Sequence, residues 1–366
     1  MSVIRAKTTG LFERGFQTRD QSKNSDLNRK EMQNGDSVLK SYPARVVIEL
    51  TSACNIRCAM CGRNHADFKP TFFDFDSFIK FEDILYHTQE VALIGWGEPS
   101  VHPEFKNIIK YLNRFPVMKF ICTNGMLLHT VTDEIFDCKI DLLTISIDGA
   151  SAKVNNEIRI GSDFERIIKN AEQIIKIKKA RGASYPYLST VSTLMKKNLS
   201  DFPNIVKLAA QMGFDEAKAV YLTGFSDEFA AQALFDCADD VKKYFTQAEE
   251  IAAEYAMNLK LPFIQGEDEA GDKPHKDCFT AWRDCFISSD GYFRPCMSTP
   301  IKLIKITDYK SFFELWNCDE LIAFRKNVNT ENMPKTCGSC YQASYANWNK
   351  RHAFIQTGNE FSPQWG

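Results

Sequence analysis

A chain of 366 residues, 44% of them hydrophobic and 28 of them Phe, has enough apolar material for a sizeable core and length for about two domains. Its 45 basic and 47 acidic residues leave a formal charge of −2, which gives no support to a nucleic-acid partner. No run approaches the roughly 18 apolar residues of a membrane span, and the start Met1-Ser2-Val3-Ile4-Arg5-Ala6-Lys7 leads into no apolar signal core. The twelve cysteines therefore read as reduced thiols of a soluble cytoplasmic protein with no membrane partner, not as a disulfide framework.

Residues 1–44 are a polar N-terminal extension. Between Gln17 and Asp36 only Leu27 and Met32 are large and apolar, which predicts a segment that is disordered or lies on the surface. From Val46 a strand–loop–helix unit repeats. The strand candidates are Val46 to Leu50, Val91 to Trp96, Lys119 to Cys122, Leu142 to Ile147, Tyr187 to Leu194 and Ala217 to Leu222. Helical spacing joins Phe105, Ile108, Ile109 and Leu112 behind Pro103, a residue suited to the first helical position. It joins Phe164, Ile167, Ile168, Ala171, Ile174 and Ile175 behind the capping box Ser162-Asp163-Phe164-Glu165. A third helix runs from about Ser200 to a Gly213 cap. Strands alternating with helices at roughly 30 residues per unit predict an α/β protein with a parallel sheet, whose ligands sit at the carboxyl ends of the strands. Residues 45–225 form this core, 226–270 a helical linker that includes Val241, Tyr244, Phe245, Ala248 and Ile251, 271–345 a second domain, and 346–366 a tail.

The first strand runs into Thr51-Ser52-Ala53-Cys54-Asn55-Ile56-Arg57-Cys58-Ala59-Met60-Cys61-Gly62, three cysteines spaced CxxxCxxC. Soft thiolates select zinc, copper(I) or an iron–sulfur cluster. Zinc needs His65 as a fourth ligand, whereas a four-iron cluster on three cysteines leaves one iron open. Further on, Gly95-Trp96-Gly97-Glu98-Pro99, Cys122-Thr123-Asn124-Gly125 and Ser146-Ile147-Asp148-Gly149 each end a strand on the face that carries the cysteines; singly, each reads as a turn.

Taken together these segments resemble the radical S-adenosylmethionine (SAM) superfamily. The resemblance implies an incomplete (β/α)6 TIM-like barrel, a [4Fe-4S] cluster on Cys54, Cys58 and Cys61, and SAM chelated by the open iron. It assigns Gly97, Glu98, Thr123, Asn124, Ser146 and Asp148 to the SAM pocket, with Glu98 and nearby carbonyls accepting from the SAM ammonium, bare Gly97 letting SAM approach, and Arg159 near the SAM carboxylate. Trp96 stands where the family has its first glycine, and His102 reads as a helix-entry residue. In the second domain, Asp290-Gly291 signals a hairpin. Cys278 lies thirteen residues before Gly291 and Cys296 five after it, and Cys337-Gly338-Ser339-Cys340 follows a helical stretch. This resembles the SPASM and twitch domains, a small β-hairpin plus helix, and implies an auxiliary [4Fe-4S] cluster on Cys278, Cys296, Cys337 and Cys340. Four-thiolate zinc fits the same spacing, and Cys285 competes with Cys278.

Cys138, Cys237 and Cys318 read as core residues, while Cys122, at a strand end, is a candidate hydrogen donor. The family chemistry implied is reductive cleavage of SAM to a 5′-deoxyadenosyl radical that takes hydrogen from an unactivated carbon, with electrons from flavodoxin or ferredoxin. With one auxiliary cluster the favoured outcome is oxidation of a small molecule such as a sugar or aminocyclitol. Peptide modification, epimerisation and a zinc-stapled binding protein are the alternatives.

Overall fold

The computed structural model describes residues 4–5, 17–64, 68–224, 227–262, 264, 278–296, 301–334 and 337. Among the described residues eleven strands form one sheet: β1 (Ile4–Arg5), β2 (Arg45–Ile48), β3 (Glu90–Leu93), β4 (Met118–Thr123), β5 (Leu142–Ser146), β6 (Tyr187–Leu194), β7 (Glu216–Tyr221), β8 (Asn258–Leu261), β9 (Asp284–Ile287), β10 (Tyr292–Arg294) and β11 (Ile304–Lys305). Their order is β1-β8-β7-β6-β5-β4-β3-β2-β9-β10-β11, an open series and not a closed barrel. Every neighbouring pair from β1 to β9 is parallel, and only the C-terminal β9–β10 and β10–β11 pairs are antiparallel.

The six expected strands are present, Tyr187–Leu194 with the expected bounds and the others with ends within three residues of them. The two side-chain sets of the pleat go to different places. Val46, Ile48, Val91, Leu93, Ile121, Leu143 and Ile145 join the core beneath the helices. Val47, Ala92, Met118, Phe120, Leu142 and Phe286 form a second cluster on the concave face. Farther round that face the wall turns polar: Arg45 pairs with Glu90 at 2.9 Å and Lys260 with Glu216 at 3.2 Å, and Lys218 is buried with them.

The expected helices form as Phe105–Leu112, Phe164–Ala180, Phe202–Met212 and Ala238–Glu254. Gly213 caps the third at φ +98°, a left-handed conformation natural to glycine. Two local readings shift. Pro103 lies in the turn before its helix. Asp163, not Ser162, is the N-cap of Phe164–Ala180, its carboxylate accepting from the Arg166 N–H at 3.1 Å.

The extension holds the largest difference. Arg19–Asn34 is a helix of 16 residues between a Thr18/Gln21 capping box and Gly35. Its buried face is Gln21, Asn24, Asn28 and Glu31, whereas Leu27 is exposed. The Asn24 amide donates to the Tyr42 and His87 carbonyls, Asn28 donates to Ser41 Oγ and to the Trp282 carbonyl, and Glu31 accepts from Lys40 N, Ser41 N and Ser41 Oγ. The segment is ordered by polar contacts, which an apolar-periodicity reading passes over. No helix among the described residues is long and apolar enough to cross a membrane.

Candidate active site

Beyond β2 the chain is pinned on both sides of the cysteines. Ser52 N donates to the Thr71 carbonyl at 3.0 Å and Phe73 N to that of Leu50 at 2.8 Å. Past Cys54, Ile56 is buried in the core, and Arg57 N and Ala59 N donate to the carbonyls of Ile160 and Ile158, each at 2.8 Å. Cys54, Cys58 and Cys61 are left half-buried on one loop.

The neighbouring strand ends reach this loop directly. The Asn124 amide donates to Cys54 Sγ at 3.5 Å and to Asn55 Oδ1 at 2.7 Å. Arg159 Nη1 lies 3.8 Å from Cys58 Sγ, and its Nε is 2.8 Å from Asp148. Burial raises the Cys58 thiol to about 11; Arg159 pulls it back, while Cys61 and Cys54 raise it further. Burial also raises Cys61, with Arg63 and Arg159 opposing. Burial works against the Arg159 charge, but Asp148 and the thiols more than offset this, so its pKa is raised. Among the described residues no three Cys, His, Asp or Glu side chains are already drawn around one ion position; the thiols are electrostatic neighbours instead. The donor set fits an iron–sulfur cluster: three soft sulfurs, two with N–H groups of Asn124 and Arg159 directed at them. His65 lies outside the described residues.

Glu98 is 2% exposed and fully engaged by the protein. Its Oε1 accepts from Ser100 N, Ser100 Oγ and Thr123 Oγ1, and its Oε2 accepts from Asn124 N at 2.7 Å. Burial raises its pKa even against these donors. The carboxylate thus ties two strand-end loops together. Gly97 is required for a related reason: a methyl group there would sit 2.2 Å from the Thr51 carbonyl oxygen and 2.4 Å from that of Ala53. The close approach that needs glycine is to the cysteine loop.

Asp148 is equally committed. Its Oδ1 accepts from Thr193 N at 2.6 Å, its Oδ2 faces Arg159, and Asn198 holds its carbonyl at 3.0 Å. Burial raises its pKa, with Arg159 opposing. Ser146 Oγ and Cys122 Sγ are 3.8 Å apart on the concave face. His102 bonds the Phe73 carbonyl at 3.0 Å and accepts from Glu104 N, a packing role at the helix entry.

One residue of the site went unread. Glu49 is 4% exposed; its Oε1 accepts from Trp96 N at 2.7 Å and its Oε2 from Ser289 N at 3.0 Å and Ser289 Oγ at 2.7 Å. The signal was available: one acidic residue inside the apolar run Val46 to Leu50.

In the C-terminal part, Cys278, Cys296 and Cys337 are half-buried. Cys278 is held by Asn329, whose Oδ1 accepts from its N–H at 2.7 Å and whose amide donates to its carbonyl at 2.9 Å. Cys340 lies outside the described residues. Cys285 is completely buried in β9 opposite Val46, and burial raises its thiol far above the ordinary value. Cys138 and Cys318 are buried, and Cys237 is partly exposed against the core.

Comparison with known proteins agrees with this arrangement. Residues 48–209 match the model of the radical SAM superfamily, and residues 278–341 match SPASM, an iron–sulfur cluster-binding domain. The chain is 27% identical over 229 residues to a tungsten-containing aldehyde ferredoxin oxidoreductase cofactor-modifying protein of Pyrococcus furiosus, covering 61% of this chain and 63% of that one. It is 24% identical over 346 residues to an AdoMet-dependent heme synthase of Methanosarcina barkeri, covering 88% of this chain and 95% of that one. In fold it is similar to Streptococcus suis SuiB bound to the precursor peptide SuiA: TM-score 0.63, 15% identity, 93% of this chain and 80% of that one.

Proposed function

Because the chain belongs to the radical SAM superfamily and carries a C-terminal SPASM domain, we propose that Cys54, Cys58 and Cys61 hold a [4Fe-4S] cluster that binds SAM, and that the enzyme oxidises a small molecule. When bound, the cluster and SAM supply a 5′-deoxyadenosyl radical able to take hydrogen from an unactivated carbon. Asn124 and Arg159 orient and stabilise the thiolates, Glu98 fixes the loop bearing Gly97, and Thr123, Ser146 and Asp148 shape the remaining pocket. Cys278, Cys296, Cys337 and Cys340 would hold an auxiliary [4Fe-4S] cluster, whose chemistry would be that of an electron acceptor in the oxidation. Complete burial of Cys285 supports Cys278 as the ligand in its place. Flavodoxin or ferredoxin provides the first electron.

The single observation that carries the reading is the meeting of the cysteine loop with Asn124 and Arg159 from two other segments. The cofactor-modifying relative from Pyrococcus and the heme synthase from Methanosarcina support a small-molecule substrate. Peptide modification is the second reading, favoured by the precursor peptide bound in SuiB. Epimerisation would use Cys122, whose thiol faces the concave surface beside Ser146.

Anaerobic reconstitution of the wild type and of a Cys54→Ala, Cys58→Ala, Cys61→Ala variant tests the core of this. About eight irons fall to about four in the variant, and reductant-dependent 5′-deoxyadenosine appears with the wild type alone. A zinc-loaded wild type that leaves SAM intact refutes the enzyme reading.

A further inference from the structure

Three segments distant in sequence converge on Glu49. Its backbone N–H continues the parallel pairing of β2 with β9 by donating to the Ile287 carbonyl at 2.9 Å. Its carboxylate then divides: Oε1 holds Trp96 N, in the segment that leads into Gly97, and Oε2 holds both the N–H and the hydroxyl of Ser289, in the turn between β9 and β10. From Ser289 the contacts run back to the cysteine loop, through Thr71 Oγ1 at 2.7 Å and from there to Ser52 Oγ at 3.0 Å. The loop is also clasped from the other side, since Glu98 N donates to the Ala53 carbonyl at 2.8 Å. A buried carboxylate with three donors is rigid, because moving any one of them leaves an acceptor unsatisfied away from water.

Resting on the cluster-and-SAM reading above, we propose that Glu49 is a positioning residue that couples the C-terminal hairpin to the SAM-facing loop, so that the seating of the hairpin sets the affinity for SAM. The hairpin carries Cys296 a few residues beyond Ser289, so the same contact fixes the auxiliary domain against the site.

The test uses the full-length protein with both clusters reconstituted, following reductant-dependent 5′-deoxyadenosine release at varied SAM without added substrate. Glu49→Gln puts an N–H donor against either Trp96 N or Ser289 N, and losing a hydrogen bond to a carboxylate corresponds to about a tenfold rise in KM for SAM. Ser289→Ala, on the hairpin, is expected to raise KM about threefold, and Ser289→Thr, which keeps the hydroxyl, restores it. The double variant Glu49→Gln, Ser289→Ala is no worse than Glu49→Gln alone, because both act through one contact. Iron content near the wild-type value shows that the variants load their clusters. Wild-type KM in Ser289→Ala, or fully additive effects in the double variant, would overturn the coupling. A wild type that releases no 5′-deoxyadenosine instead refutes the underlying reading.

Discussion

The two ends of the barrel-like sheet are both closed by buried polar side chains, but those side chains face different things. At the strand amino ends, Gln21, Asn24, Asn28 and Glu31 of the helix Arg19–Asn34 meet backbone carbonyls, N–H groups and one serine. At the carboxyl ends, Glu98 accepts from Asn124 and Asp148 pairs with Arg159, Asn124 and Arg159 reach the sulfurs of Cys54 and Cys58, and Glu49 holds Trp96 N and Ser289. Burial of polarity therefore does not by itself mark a site. Three of the four side chains at the amino ends are neutral amides that spend their hydrogen bonds mostly on main chain, and the one carboxylate there, Glu31, accepts from two N–H groups and one hydroxyl, a structural use. The carboxyl ends instead gather several carboxylates and a guanidinium, and burial shifts Glu98 and Asp148 upward, the pattern expected where chemistry is arranged.

The largest effect that follows from this contrast is at Gly97. Gly97→Ala forces a methyl group against the Thr51 and Ala53 carbonyls, and 5′-deoxyadenosine formation should fall by about two orders of magnitude, with iron lost from the first cluster only. Retained activity would mean that the loop has slack the packing denies. At the amino ends, Asn28→Leu leaves the Trp282 carbonyl unsatisfied and should cost about 2–3 kcal/mol in urea denaturation. Its turnover of SAM per folded molecule should equal that of the wild type; a drop in turnover at unchanged stability would erase the distinction between the ends. The smallest effect concerns Lys218, buried on the concave face among Glu216, Lys260, Arg45 and Cys122. Burial draws its ammonium from 10.5 down to about 8. Between those values the unfolded chain holds more protons, so this group's contribution to stability rises with pH. Lys218→Met should therefore gain about 1–3 kcal/mol at pH 7, a gain that disappears above about pH 10.5.

The strands were legible because β-branched runs such as Val46-Val47-Ile48 are buried on both faces and bounded by turns. Loop motifs at their ends were legible because Asn-Gly, Asp-Gly and Gly-Glu-Pro punctuate the chain. The roles within those motifs were less so. Glu98 and Gly97 face other protein groups because loops from four places share one space, and no local pattern encodes which loops meet. The helix Arg19–Asn34 escapes an apolar-periodicity reading since its buried face is polar while Leu27, which is apolar, is exposed. Its partners Thr88, Pro116 and Trp282 lie far along the chain. The β2–β9 pairing was invisible for the same reason.

That pairing has a consequence for biogenesis. β2 carries the cysteine loop, yet the edge of β2 that β9 occupies stays open until a segment some 240 residues later has been made, Glu49 and Ser289 being 240 positions apart. A ribosome adding roughly 5–20 residues per second leaves that edge bare for tens of seconds. The cysteine loop can therefore make its bonds to Thr71, Ile158 and Ile160 early, whereas its link through Thr71 to Ser289 waits for that later segment and leaves the nascent edge exposed to chaperones in the interval.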